Sequence, residues 1–258
     1  KILETASAAD VDVVVSKIPF GSYTIREISA PYGYHPSQKE WKVSLDGTYV
    51  NPTRVLDIVE NIPAPGRIQI LKIDALDKHP IAGVQFDIYA VGRDGKPGDM
   101  VAWMTTNDKG AAESVDLFPG KYRVKEHENP NGYVAELWSE EITIGMDEIV
   151  TRTVTNMPIQ GKIRIFKTDS ETENGLPGAV FTVTRVSGLP SHNGENDGEI
   201  VAVITSGKDG TAETPLLTWG EYEIVETRVP DDYLDDGWRV TVNIPAGVAE
   251  AEAMDEAE

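Results

Sequence analysis

Apolar residues recur at every second position over short stretches of this chain, and Gly, Pro, Asn and Asp separate the stretches. GRIQILKID (66–74) puts Ile68 and Ile70 on one face and Arg67 and Gln69 on the other; KYRVKE (121–126) does the same with Tyr122 and Val124. Successive side chains of an extended chain point to opposite sides, so a period of two marks a strand with one buried face. RDGKPG, NDKG, FPGK and NPNG supply turns between the runs, and no segment carries a convincing helical period. The pattern predicts an all-β chain of the sandwich type.

The pattern repeats. YTIREISAPYGY (23–34), YRVKEHENPNGY (122–133) and YEIVETRVPDDY (222–233) are three versions of one segment, each followed by a tryptophan at Trp41, Trp138 or Trp238. Upstream, VAWMTTNDKGAA matches VAVITSGKDGTA, and GRIQILKIDALDKHPIAGVQFDI matches GKIRIFKTDSETENGLPGAVFTV. Self-similarity of this kind indicates tandem units. They are expected at 64–158 and 159–258, the latter with a loop insertion near 187–199, preceded at 1–63 by the C-terminal part of an incomplete copy that lacks the GxIxIxK front. The junctions ENIPAPG and TNMPIQG are short and contain Pro, so the units should be joined stiffly in a row.

Three polar residue types, Lys, Glu and Asn, break the inward faces. Ile68 and Ile70 are in phase with Lys72, and Ile163 and Ile165 with Lys167. Glu27, Glu126 and Glu226 follow the inward residues of the repeated segment, and Asn61 and Asn156 follow Val59 and Val154. An isolated buried charge costs several kcal/mol, so such groups pair or become neutral. A neutral amine is a nucleophile, and a neutral carboxylic acid polarises an amide carbonyl. Lysine, acid and asparagine side by side can therefore form an amide between the lysine and the asparagine side chain, with ammonia leaving. The plainer alternative is a buried ion pair.

LKID and FKTD, each followed by GVQF or GAVF, then PGKYRVKEHENPNGY and a terminal VTNMP, resemble the B-type repeat domains of Gram-positive collagen adhesins and pilins, the Cna B-type or SpaA-like domains. The resemblance covers nearly the whole chain. It implies tandem immunoglobulin-like β-sandwich domains in a row, the first incomplete, with first and last strands adjacent and a self-formed Lys to Asn or Asp isopeptide bond promoted by the Glu. Carried over, Lys72, Glu126 and Asn156 form one set, and Lys167 and Glu226 belong to another. Two departures stand out: the third copy reads VPDDY in place of PxGY, and in the first copy Glu27 and the acceptor Asn61 have no lysine strand.

Two acceptors compete in the third copy. Asn243 sits in VNIP, which looks like ENIP and TNMP, but it lies only 10 residues beyond Tyr233, against 27 from Tyr34 to Asn61 and 23 from Tyr133 to Asn156. Asp255 lies 22 beyond Tyr233 and shares a face with Ala249, Ala251 and Ala253, whereas Asn243 is out of phase with Val240, Val242 and Ile244. The expected bond is Lys167 to Asp255, promoted by Glu226, with water leaving.

Composition narrows the function further. With 23 Lys+Arg against 43 Asp+Glu the net charge is -20, which argues against nucleic acid and anionic membrane as partners. The absence of cysteine excludes disulfides and thiolate metal sites. No apolar run approaches the ~18 residues of a membrane span, and KILETASAAD is not a signal peptide, so the chain reads as a fragment or a processed product. Asn193, Glu195 and Asp197 precede Gly198 in a faintly calcium-loop-like order, but Ile204 falls where the bidentate acid would be, so a solvated acidic loop is expected. His35, His79, His127 and His192 show no ligand spacing and are expected at the surface, and no cofactor is implied. The expected function is structural: stalk domains of a bacterial cell-surface adhesin or pilin subunit, not an enzyme beyond a single self-directed turnover. The expected partners are other domains of the same surface protein, with pilin subunits or a host ligand beyond them. A host-protein or glycan binding module, or accessory sandwiches of a secreted enzyme, are the alternatives.

Overall fold

The structure, a computed structural model, describes residues 18–46, 60–189 and 197–245, and the backbone course of 251–257. Among the described residues there are strands, turns and bends but no helix. In the first copy β1 (Gly21–Arg26) pairs antiparallel with β3 (Glu40–Leu45), and β2 (Tyr34–His35) with β4 (Ile62–Pro63). The next unit contains β5 (Arg67–Asp74), β6 (Gln85–Val91), β7 (Pro97–Thr105), β8 (Ala111–Glu113), β9 (Gly120–Glu126), β10 (Ser139–Ile144) and β11 (Ile149–Asn156). The last contains β12 (Gln160–Gly161), β13 (Ile163–Asp169), β14 (Val180–Gly188), β15 (Ile200–Thr205), β16 (Thr211–Glu213), β17 (Leu217–Thr218), β18 (Gly220–Arg228), β19 (Arg239–Ile244) and β20 (Ala251–Ala257).

Each of the two later units is a sandwich of a four-stranded and a three-stranded sheet. The orders are β10-β9-β6-β7 with β11-β5-β8, and β15-β14-β18-β19 with β16-β13-β20. Alternation along the strands makes the cores: Ile68, Ile70, Phe86, Ile88, Tyr122, Val124, Ile142 and Val154 bury together in one, and Ile163, Ile165, Phe181, Val183, Tyr222 and Ile224 in the other. Full burial of such side chains stabilises by about 1.5–3 kcal/mol each. The first and last long strands, β5 with β11 and β13 with β20, lie side by side and parallel. A parallel pair needs a long crossover, and here the rest of each unit supplies it.

Details recur across the copies. Tyr23, Tyr122 and Tyr222 each donate their hydroxyl to the carbonyl four residues upstream, at Pro19, Phe118 and Thr218, at 2.6, 2.5 and 2.8 Å. The backbone N–H groups of Tyr34, Tyr133 and Tyr233 bond to Pro31, Pro130 and Pro230. This turn holds its penultimate residue in the left-handed region, with φ of 94° at Gly33, 83° at Gly132 and 75° at Asp232. The departure VPDDY therefore keeps the turn, because Asp tolerates that conformation better than most side chains. The insertion expected near 187–199, including Asn193, Glu195 and His192, falls largely outside the described residues. Asp197 accepts a bond from the buried Arg185 at 2.8 Å.

Candidate functional site

β5 and β11 run parallel with Val154 opposite Lys72 and Asn156 opposite Asp74. β9 crosses in the facing sheet, where Glu126 pairs with Phe86 of β6. The inward phase of all three strands aims the amine, carboxyl and carboxamide at one point between the sheets. Lys72, Glu126 and Asn156 are 0%, 1% and 4% exposed. The Lys72 Nζ lies 3.0 Å from Glu126 Oε1 and donates to Asn156 Oδ1. The Asn156 Nδ2 donates to Glu126 Oε1 at 3.2 Å and to Asn129 Oδ1 at 3.0 Å. Trp138 closes the site: its backbone N–H approaches Glu126 Oε2 at 3.4 Å and its ring packs edge-on against Phe86, over which the lysine amine also sits. Burial pushes the Lys72 pKa below the usual lysine value, and the neighbouring Glu126 only partly offsets it. The arrangement is a buried amine touching a carboxamide and an acid.

The last unit repeats half of this arrangement. Lys167 and Glu226 are 2% and 4% exposed, with Lys167 Nζ 3.0 Å from Glu226 Oε2, and Trp238 packs edge-on against Phe181. The acceptor positions differ. Asp255 of β20 stands opposite Lys167 itself, whereas Asn156 stands two positions beyond the partner of Lys72. Asn243 is exposed in β19, at the far edge of the four-stranded sheet, while Lys167 belongs to the other sheet.

In the first copy Glu27 and Asn61 meet without a lysine among the described residues. The Asn61 Nδ2 donates to Glu27 Oε2 at 2.6 Å and to the His35 carbonyl at 3.2 Å, and Ser37 N–H donates to the same carboxylate oxygen at 2.7 Å. Both side chains are half-buried, and Ile25, which shares their phase, is 42% exposed.

Sequence reasoning missed two features. Asn129 contributes to the buried network from the irregular stretch after β9, where no period points to it. The other is a tether two residues past each lysine. Asp74, 1% exposed, lies against the Tyr133 hydroxyl, which also contacts His79 Nε2 at 3.2 Å; Tyr233 donates to Asp169. Burial, with Asp74 adding to it, pushes the Tyr133 pKa well above the ordinary phenol value. The phase of LKID and FKTD, in which Asp follows Lys on the same face, carried that signal. His79 is half-buried instead of superficial, and Asp74, Asp77 and His79 bring one ligand-type atom each to within 4.8 Å of one another. The ring already bonds Asp77 through Nδ1 and Tyr133 through Nε2.

The sequence matches the SpaA prealbumin-like fold domain over residues 1–55, 66–158 and 161–257. Among curated proteins, the trypsin-resistant surface T6 protein of Streptococcus pyogenes serotype M6 is 30% identical over 90 residues, which is 35% of this chain and 16% of that protein. Among solved structures, the Bacillus anthracis TIE protein aligns with a TM-score of 0.76 and 26% identity over 93% of this chain and 42% of its own. The pilus adhesin SpaC of Lactobacillus rhamnosus GG aligns with a TM-score of 0.51 and 19% identity over 74% of this chain and 27% of its own, a likeness of fold. The chain thus spans less than half the length of each of these relatives. No helix among the described residues is long and apolar enough to cross a membrane.

Proposed function

The chain belongs to the SpaA prealbumin-like fold domain family, and from that premise we propose that it is a run of structural stalk domains of a Gram-positive surface adhesin or pilin subunit, closed by self-formed isopeptide bonds. In this reading 64–158 and 159–258 are complete domains, 1–63 is the C-terminal part of another, and the protein acts at the bacterial cell surface. The observation that carries it is the convergence of Lys72, Glu126 and Asn156 in one buried site. A plain ion pair needs no carboxamide beside both of its partners.

The chemistry follows from the contacts. The proton of Lys72 passes to Glu126 across 3.0 Å, and the neutral amine attacks Cγ of Asn156. Glu126, within 3.2 Å of Nδ2, returns a proton to that nitrogen as the attacking amine loses one. The Nζ–Cγ bond forms, the Cγ–Nδ2 bond breaks, and ammonia leaves. In the last domain Lys167, Glu226 and Asp255 would do the same with water as the leaving group.

A tryptic map of the purified chain tests this. The peptides carrying Lys72 and Asn156 should run as one branched species about 17 Da lighter than their sum, the mass of ammonia. Recovery of both peptides separately at unmodified mass would overturn the assignment.

A further inference from the structure

The Asn156 carboxamide can lie in its site in two orientations related by a flip, and only one of them turns its nitrogen toward the acid that must protonate it as it leaves. The network around Asn129 decides which. The Asn129 Nδ2 donates to two backbone carbonyls, Tyr133 O at 2.6 Å and Pro130 O at 3.2 Å. A carbonyl only accepts, so these two contacts fix the Asn129 amide with its Oδ1 facing Asn156. That oxygen in turn takes a hydrogen bond from Asn156 Nδ2 at 3.0 Å. A flipped Asn156 would set two oxygens against each other at that distance. The leaving nitrogen is therefore held between Asn129 Oδ1 and Glu126 Oε1, and the carbonyl oxygen is turned to Lys72.

We propose that Asn129 is a positioning residue for the cross-link: it selects the orientation of Asn156 in which ammonia is the group presented to Glu126. The inference rests on the cross-link reading above. Comparison within the chain supports it. The residue three beyond the acid is Ala30 in the first copy, Asn129 in the second and Val229 in the third. In the first copy the acceptor amide of Asn61 is held by the His35 carbonyl, so another oxygen fills the role of Asn129. In the third, the proposed acceptor Asp255 has no amide nitrogen to orient, and an apolar Val229 stands at the equivalent place. Asparagine thus stands at this position in the copy whose acceptor is an amide with no other orienting oxygen, and valine in the copy whose proposed acceptor is a carboxyl.

The test is the rate of cross-linking in the full chain made by cell-free synthesis, sampled over time, denatured, digested and read as the ratio of linked to unlinked Lys72 peptide. Asn129→Val is the variant, because Val229 occupies the equivalent position in the last domain. It should slow linkage about tenfold with Asn156 in place, the size expected when a hydrogen bond holding the reactive geometry is lost. In the Asn156→Asp chain, which has no amide nitrogen to present, Asn129→Val should not slow linkage. Equal rates in the chains that keep Asn156 overturn the proposal, and so does equal slowing in both backgrounds, which is the mark of a merely structural role. If the Asn156→Asp chain does not link, the side-chain amide of Asn156 in a Lys72→Met chain is read by NMR. Asn129→Val should remove its protection from solvent exchange, and an unchanged protected signal overturns the proposal. Absence of any linked peptide from the parent chain is a different outcome, and it removes the cross-link itself.

Discussion

Replacing Lys72 and Glu126 together, as Lys72→Met with Glu126→Gln, separates a covalent bond from an ion pair by magnitude. Both side chains are essentially inaccessible to water, and each replacement nearly conserves volume while leaving no charge in the site. If the two residues were only a buried ion pair, the change would be neutral or would stabilise by about 1–4 kcal/mol, because desolvation of the charges consumes most of their attraction. A bond between residues 84 apart in sequence acts otherwise. In the chain-entropy account used for disulfides, closing a loop of that length removes unfolded-state freedom worth about 4.5 kcal/mol at 25 °C. For a domain of roughly 90 residues each kcal/mol moves Tm by about 4–8 °C, so loss of the bond should lower the transition of this domain by ~20–35 °C. Differential scanning calorimetry of parent and variant, with mass spectrometry on the same samples, reads the difference. A variant that melts within about 5 °C of the parent, or above it, refutes the reasoning.

The last domain offers a choice of acceptor: Asp255→Ala should abolish the proposed Lys167 cross-link and Asn243→Ala should leave it, as read by the mass of the Lys167 peptide, and the reverse result would overturn the assignment. His127 bonds Asp87 through Nδ1 at 2.8 Å, which raises its pKa above 6.5. Burial pushes Asp87 up, but the bonds from His127 and Gln85 outweigh it and hold its carboxyl below the ordinary range. The His127 contribution is complete below the unfolded histidine pKa and fades as pH rises through the raised folded value; the Asp87 contribution is present above the unfolded carboxyl pKa and fades as pH falls through the depressed one. An NMR titration should place the His127 midpoint above 6.5, and Asp87→Asn should bring it down. The Tyr233 hydroxyl and the Thr172 backbone N–H hold the Asp169 pKa down to about 2, so its contribution to stability is full above the unfolded value and is lost as pH falls through about 2. Tyr233→Phe should raise the Asp169 midpoint in a carboxyl titration; an unmoved midpoint would show that the tyrosine is not the cause.

Where a residue lies in a regular strand, sequence located it. Lys72, Glu126, Asn156, Lys167 and Glu226 are buried because period two leaves them no other side to face, and the cost of burying them is what pointed to chemistry. Asn243 is exposed for the same reason. Reading failed where the chain is irregular. Asn129 lies in the irregular stretch after β9, and its inward aim comes from bonds to Pro130 and Tyr133 that no spacing encodes. Register between strands far apart in sequence was equally illegible. Phase placed Asp255 on the same face as Ala251 and Ala253, but only the pairing of β13 with β20 sets it opposite Lys167, two positions from where Asn156 stands relative to Lys72.

The position of the proposed bond within the β5–β11 pair explains why a stalk would use it. In the proposed stalk, tension would enter this domain at Arg67, where β5 begins, and leave at Asn156, where β11 ends, so pulling would slide two parallel strands past each other along their length. Hydrogen bonds across such a pair are loaded together, but once they fail nothing in the core resists, because every other strand lies in the sequence between β5 and β11. A bond from Lys72 to Asn156 carries the load along β5 only as far as the lysine and then directly to the exit. All residues from Ile73 to Thr155 are then bypassed, including β6 to β10 and Glu126 itself. The acid can therefore sit on a strand that never bears tension, and the same argument applies to Lys167, Glu226 and β20, since β13 and β20 repeat the parallel arrangement. Placing the lysine late in the first strand and the acceptor late in the last is what puts the bond at the end from which the pull is transmitted.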